Sequence, residues 1–330
     1  MIVNADMIEA LKAEGYKWFI ESYEKEPEIF SKIADVQPTE LGYVKETVAT
    51  GGGRLQKKPY GGEYKYGSLK EAWTPIIKID EFGELLGIEG ATMEDIQHKA
   101  ENVLRKKMPI YAEQARYTKE YELADIFSYG ALTSGHHDTF DQSADDGSWT
   151  DPSGDFCYDG KPVFVLSTNA RTAKDGSTYY NLTSGKALNH QGISDLCALI
   201  SDTNAYNESG EKVVIMPDTL IVATYSNLLT ARRVLESEKV SGSNYNDKNV
   251  IKDMLKPIWY PFLSDDVKNA ANAFIVGKAK KGIRFYTRVE PEFDFFEDKK
   301  SNIFYIRVRV RFGAGVVNWR YWAANDLPTS

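Results

Sequence analysis

Cysteine is nearly absent from this 330-residue chain: Cys157 and Cys197 are the only two. Two thiols build neither a disulfide framework nor a four-cysteine zinc site, and a reducing, intracellular place of synthesis fits them. Histidine is also scarce, with four residues. Long apolar runs are missing. Stretches such as Val213–Met216 and Leu220–Ala223 stop after a few residues, where a spanning helix needs about 20. The opening Met1–Gly15 carries Asp6, Glu9 and Glu14 and has no apolar centre, unlike a secretory signal. Positive charge is in deficit as well. A net charge of -8 argues against a protein that grips nucleic acid through one broad basic face. G-x-S-x-G, H-E-x-x-H and G-x-x-x-x-G-K-[ST] do not occur, and no repeat of 20–50 residues is visible.

What is present is uneven charge. Residues 51–70 hold Arg54, Lys57, Lys58, Lys65 and Lys70 against the single acid Glu63. Residues 131–160 hold seven aspartates (Asp138, Asp141, Asp145, Asp146, Asp151, Asp155, Asp159) and no base. Charge runs are usually solvated loops; two runs of opposite sign also suit complementary contact surfaces.

Apolar spacing predicts helix across residues 4–34, with Pro27 interrupting late and Pro38 as the stop. Residues 41–80 read as a two-stranded arm. Tyr43–Val48 goes out, Gly51-Gly52-Gly53 and Lys57–Gly62 make a turn-rich tip, and Trp73–Ile79 returns. An isolated hairpin is marginal in water, so such an arm needs a surface to lie on. Thr92–Asp95 opens a helix running to Phe127 on Ile96, Ala100, Val103, Leu104, Met108, Tyr111, Ala115, Tyr121 and Ala124. It would be about 50 Å long, with Pro109 expected to kink or break it. Residues 130–190 are loop-rich around one strand, Pro162–Ser167. An α/β alternation follows: helix 191–203, strands 212–216 and 219–223, helix 225–238, and strands 257–260, 273–277 and 283–287. The strand Ile303–Phe312 interleaves Arg307, Arg309 and Arg311 with apolar residues. These arginines either touch a polyanion or pair with acids of their own domain, and the second reading is preferred.

The chemistry-bearing clusters are weak. His136-His137-Asp138 lies near Asp141, Asp145 and Asp146. Read as a calcium loop from Asp141, its glycine falls at the seventh position and Pro152 stands where a bidentate glutamate is required. A solvated acidic loop is favoured over a metal site. Ser143–Trp149 resembles a sialidase Asp-box turn but is one residue short and occurs once. Cys197 sits on an apolar helix face and reads as a core residue; His190 reads as a capping or satisfied histidine. No catalytic residue, metal or cofactor is expected. Trp259–Phe262 and Phe293, Phe295 and Phe296 are read mainly as core.

The order of these features resembles the major capsid proteins of tailed bacteriophages with the Hong Kong 97-type fold, in particular the Mu-like major head subunits. The N-terminal helix that Met1–Asn4 opens, the Pro27–Ile33 stretch and the basic hairpin are similar to that family's N-arm and E-loop. Thr92–Phe127 is similar to its spine helix. Tyr158–Phe164, Asp175-Gly176, Asn181-Leu182, Leu188-Asn189, Met216–Val222, Ala231–Ser237, Gly313–Val317 and Asn318-Trp319-Arg320 follow in family order. Asn169, where that branch would have histidine, and the acidic insert around Asp138–Asp155 depart from it.

The resemblance implies an α+β fold. Its parts would be an N-arm (1–40), an extended E-loop (41–80), a P-domain with its spine helix (81–190, helix 92–127), an α/β A-domain (191–282) and C-terminal strands (283–330). It implies a virion shell assembled in the host cytoplasm from hexamers and pentamers, with scaffolding, portal and decoration proteins as partners and double-stranded DNA enclosed without sequence specificity. Arg54, Lys57, Lys58 and Lys65 would form the E-loop contact, and Asp138, Asp141, Asp145, Asp146 and Asp155 its acidic partner surface. Lys57 or Lys58 could crosslink to a neighbour, as in some relatives. Three alternatives stand beside this reading: an encapsulin-like compartment, an acidic-loop hydrolase or carbohydrate-binding protein, and a tail or tube protein.

Overall fold

The computed structural model describes residues 5–25, 27–50, 57–58, 60–63, 70–89, 97–132, 161–173, 176–207, 210–240, 247–298, 300 and 303–329, with side chains left undescribed at 5–11, 48–50, 70–73, 89 and 97–104. In chain order the elements are α1 (Ala5–Tyr23), α2 (Phe30–Ile33), β1 (Asp35–Pro38), β2 (Tyr43–Lys45), β3 (Val48–Thr50), β4 (Lys70–Trp73), β5 (Ile76–Lys78), β6 (Asp80–Glu89) and α3 (Gln97–Ser128). Then come β7 (Arg171–Thr172), β8 (Thr178–Tyr179), β9 (Leu182–Thr183), α4 (His190–Ala198), β10 (Thr219–Val222), α5 (Tyr225–Glu236), β11 (Lys256–Trp259), α6 (Asp265–Asn269), β12 (Phe274–Gly277), β13 (Ile283–Asp298), β14 (Ile303–Val316) and β15 (Trp322–Asn325).

Two sheets organise the chain. One is four-stranded in the order β1-β13-β14-β6, built on a long antiparallel hairpin with β1 added in parallel. The other is five-stranded, β11-β10-β12-β15-β9. Its middle strands β10, β12 and β15 are wholly buried, because both faces are covered. Side chains alternate across a strand. Leu220, Val222, Phe274 and Val276 therefore meet α4 and α5 in one core, while Ile221, Ile275, Trp322 and Ala324 join α3 and the long hairpin in another. Asn189 caps α4 through Gly192 N and Thr224 caps α5 through Asn227 N, the preferred chemistry at a helix start. Asn189, not His190, is the capping residue.

The second core carries α2 as well. Phe30, Phe285, Phe312 and Phe82 form a continuous ring stack, with centroids 4.4, 5.3 and 4.7 Å apart. A third core sets Phe19 of α1 and Met108, Tyr111, Ala112 and Ala115 of α3 against Phe293, Phe295, Phe304, Ile306 and Val308. The helix α3 thus lies along the long hairpin and reaches into the five-stranded unit.

Several expectations are corrected. Pro109 does not break α3, which runs through it from Gln97 to Ser128; Met108 and Tyr111, buried in the core on either side of it, anchor that stretch of the helix. The helix of residues 4–34 is not continuous: α1 ends at Tyr23, a one-turn α2 (Phe30–Ile33) follows beyond Pro27, and Asp35–Pro38 is a strand paired with Arg284–Thr287. Pro162–Ser167 is not a strand. Its backbone groups are taken locally, with Phe164 N bonded to Gly130 O, Val165 N to the Asn181 side chain, and Asn181 Nδ2 to Val163 O. Residues 212–216 form only an isolated bridge, Tyr206 to Lys212. Tyr121, placed on the apolar face by spacing, is exposed, and so is Phe296.

Candidate functional site

The arm leaves the body through a clamped root. β2 pairs with β5, and β3 with β4. Ile77 and Ile79 pack on Tyr286 with Val44 and Val317. The Tyr286 hydroxyl donates to Glu46, and Arg284 pairs with both Asp35 and Glu46. Burial pushes the Tyr286 phenol up, and the Glu46 carboxylate adds to the shift. Gly313 is required here, because a Cβ on it would stand 1.9 Å from Lys78 O. Beyond the root, Lys57, Lys58 and Tyr60 are exposed. Arg54, Lys65 and all five aspartates of the expected acidic surface (Asp138, Asp141, Asp145, Asp146, Asp155) lie outside the described residues, as do Cys157, His136 and His137.

A buried polar node fixes the N-terminal segment to α3. Lys119, 2% exposed, reaches Glu290 Oε2 at 2.8 Å and Glu28 Oε1 at 3.7 Å, with its ammonium over the rings of Tyr23 and Phe30. Next to it, the buried Glu120 accepts from the backbone N–H of Ile29 at 2.5 Å and of Phe30 at 3.0 Å. That places a carboxylate at the start of α2, where four backbone N–H groups lack helical partners. Burial raises the Glu120 pKa, against the pull of those two hydrogen bonds. The Tyr23 phenol is also pushed up, by burial and then by its bond to Glu28. Two residues on, Glu122 is pushed well above the ordinary glutamate value by burial and by Asp125 and Asp80. Sequence reasoning missed this node. Its only signal was three charges, Lys119, Glu120 and Glu122, in a segment otherwise read as a strut.

The three arginines of β14 pair within their own sheet. Arg307 meets Asp294 at 3.3 Å, Arg309 meets Glu292 and Glu81, and Arg311 meets Glu81 at 3.3 Å. Lys12 of α1 closes the row at Asp294, 2.8 Å away, and holds that carboxyl below its ordinary value. This face of the hairpin is close to electrically neutral.

On the other side of β6 the sheet and α3 diverge and leave a groove of about 570 Å³. Val308 and Val310 contribute its apolar lining, Tyr111, Tyr117 and Tyr121 its helical wall, and Glu84 its rim. Burial and then the Glu84 carboxylate raise the Tyr111 pKa. Cys197 is half-buried and pushed up to about 11 by burial, far from a reactive thiolate. Among the described residues no cluster of His, Cys, Asp and Glu could hold a metal ion, and no helix is long and apolar enough to cross a membrane.

Compared with known proteins, the chain matches no family model and no curated sequence. Its fold matches solved shells. The capsid structure of the cyanophage P-SCSP1u aligns over 92% of this chain and 89% of its own, with a TM-score of 0.51 at 10% identity. The capsid of an empty GTA particle aligns over 89% and 87% (TM-score 0.49, 10% identity), and a virus-like particle from Pyrococcus furiosus over 95% and 98% (TM-score 0.49, 8% identity). The chain therefore has the α+β Hong Kong 97-type capsid fold.

Proposed function

We propose that this chain is a major capsid protein, of which many copies close into an icosahedral head shell around double-stranded DNA. The observation that carries the reading is the fold match to the cyanophage capsid over 92% of the chain. Physical features support it. The arm has its root packed and paired but its tip exposed, as suits a segment that lies on another copy. A subunit of net charge -8 whose hairpin arginines are internally paired encloses DNA without clamping it, since tight binding requires cations free to displace counterions.

In this reading the protein is structural and not an enzyme. Residues 191–282, which supply three strands of the five-stranded sheet, form the centres of pentamers and hexamers. Arg54, Lys57, Lys58 and Lys65 meet acidic surface on a neighbouring copy, to which Asp138, Asp141, Asp145, Asp146 and Asp155 contribute. Scaffolding, portal and decoration proteins complete the particle, assembly takes place in the host cytoplasm, and the Mu-like head subunits are the nearest branch.

The test is negative-stain electron microscopy of the purified protein, alone and co-expressed with its neighbouring genes. Closed shells or capsomer rings are expected, and deletion of Gly51–Gly62 should abolish them while leaving a folded subunit. Persistent monomers under both conditions refute the proposal.

A further inference from the structure

The groove between β6 and α3 presents a carboxylate where the sheet's own pattern calls for an apolar side chain. Side chains alternate across a strand. On the α3 side of β6 the neighbouring positions are Phe82, Leu86 and Ile88, all packed against the cores. Glu84 falls in the same row and lines the groove. It is exposed, and among the described residues no basic side chain pairs with it. Glu81, the other acid of the groove, is by contrast engaged by Arg309 and Arg311.

The walls are aromatic. Tyr111, Tyr117 and Tyr121 of α3 line one side and Val308 and Val310 the other, across about 570 Å³, within the range of small-ligand sites. From Tyr111 to Tyr121 the helix rises about 15 Å, so the groove is longer than a single ion needs. Tyr121 is 52% and Tyr117 38% exposed, so ring surface is open to a ligand. Phe262 packs on both, with centroids at 5.2 and 5.5 Å, and keeps them in place. One of these rings already attracts a cation: the Arg116 guanidinium lies 5.3 Å from the Tyr117 centroid.

The hydroxyls in the groove have committed their protons. Tyr111 donates to Glu84, and Thr118 Oγ1 donates to Gln114 O at 2.7 Å, so what both oxygens still offer is lone pairs. A carboxylate, such oxygens and ring faces together select positive charge and N–H donors carried on an apolar chain. They disfavour a bare divalent ion. Calcium takes about six to eight oxygen ligands, whereas one unpaired carboxylate stands here, and among the described residues no group of His, Cys, Asp and Glu could hold a metal.

We propose that this groove binds an aliphatic polyamine. One ammonium pairs with Glu84, the methylenes lie against Val308 and Val310, and a second ammonium meets the faces of Tyr117 and Tyr121. The bound amine adds positive charge to a subunit of net charge -8.

Isothermal titration calorimetry of the unassembled full-length subunit with spermidine tests it, in about 0.15 M salt so that diffuse attraction is screened. One saturable site is expected. Glu84→Gln should weaken it about fivefold or more. Tyr121→Leu, which keeps an apolar side chain but removes the ring, should weaken it to a similar degree, and Tyr121→Phe should bind within about twofold of wild type. Both positions are exposed, so the variants keep the fold, which circular dichroism checks. Magnesium chloride at matched ionic strength should not displace the amine. Absence of saturable binding, an affinity unchanged in Glu84→Gln or in Tyr121→Leu, or equal displacement by magnesium shows diffuse attraction to an acidic surface only and overturns the inference. The shell reading stands apart from all of these outcomes, since electron microscopy decides it.

Discussion

Removing the Glu120 carboxylate is the sharpest test of how the N-terminal segment is held. In Glu120→Ala the N–H groups of Ile29 and Phe30 lose their acceptor at a buried position. Hydrogen bonds to a charged group contribute about 1.5–3 kcal/mol each. The substitution also relieves the burial that raises this carboxyl's pKa, which returns part of the loss. A net destabilisation of about 2–4 kcal/mol follows. For 330 residues the unfolding entropy is about 0.7 kcal/mol/K, so the thermal midpoint falls by about 3–6 °C.

The adjacent Lys119→Met is the built-in contrast. Methionine keeps the length and packing over Tyr23 and Phe30. The partner left behind, Glu290, is 71% exposed and returns to water, while Glu28 keeps its bond from Tyr23. No charge is stranded in the core, so the cost stays within about 1 kcal/mol. Both numbers come from urea unfolding of the unassembled subunit, followed by tryptophan fluorescence. Limited proteolysis should show cleavage near residues 24–29 appearing first in Glu120→Ala. If Glu120→Ala and Lys119→Met cost the same, the capping carboxylate is not what fixes the segment, and the reasoning fails.

Three further outcomes are expected. Gly313→Ala drives a methyl group into Lys78 O, so the arm root must shift; calorimetry should show a loss of about 1–3 kcal/mol, as for other overpacked sites. Glu122 has a raised pKa in the folded protein, so the native state keeps a proton that the unfolded chain releases. The contribution of this group to stability is fully present below the ordinary glutamate range and is lost as pH rises toward the folded value. Glu122→Gln should remove that slope, matching wild type in acid and exceeding it at neutral pH, and a parallel pair of urea-midpoint curves would contradict the assignment. Charge reversal at Arg54, Lys57 and Lys58 together should make assembly measured by light scattering more sensitive to salt. Each exposed pair is worth only about 0–1 kcal/mol, so the effect is collective; an unchanged salt profile excludes an electrostatic role for the arm.

How far the sequence went depended on whether the surroundings of each segment were local. The strands Thr219–Val222 and Phe274–Gly277 were legible because both of their faces are apolar, which gives short unbroken hydrophobic runs. The helix α3 was legible from spacing. Its charged residues were not: Arg116, Lys119, Glu120, Glu122 and Asp125 are all buried, although polarity alone assigns them to water. They are buried because α1, α2 and the hairpin close around the helix, and partners such as Glu290 lie 171 residues away. Pro162–Ser167 misled for the related reason that an apolar run becomes a strand only if neighbouring backbone is available. Here the Asn181 side chain and Gly130 supply the bonds instead. The groove beside β6 could not be read at all, since it exists only where two elements diverge.

Charge placement unites the arm and the body. The long hairpin has three arginines in alternate positions, and each meets an acid of β6 or β13. The hairpin's arginines are thus engaged within the subunit, and the net charge is -8. The stretch from 51 to 70 reverses this sign, with five bases against one acid. It is also the stretch whose described tip is exposed on its own chain. In the proposed shell, bodies of like charge would push copies apart, and a cationic arm crossing from each body to the next would offset that repulsion at the seams. In that arrangement attraction would be confined to contacts between copies, and the hairpin face would stay close to neutral toward the enclosed contents.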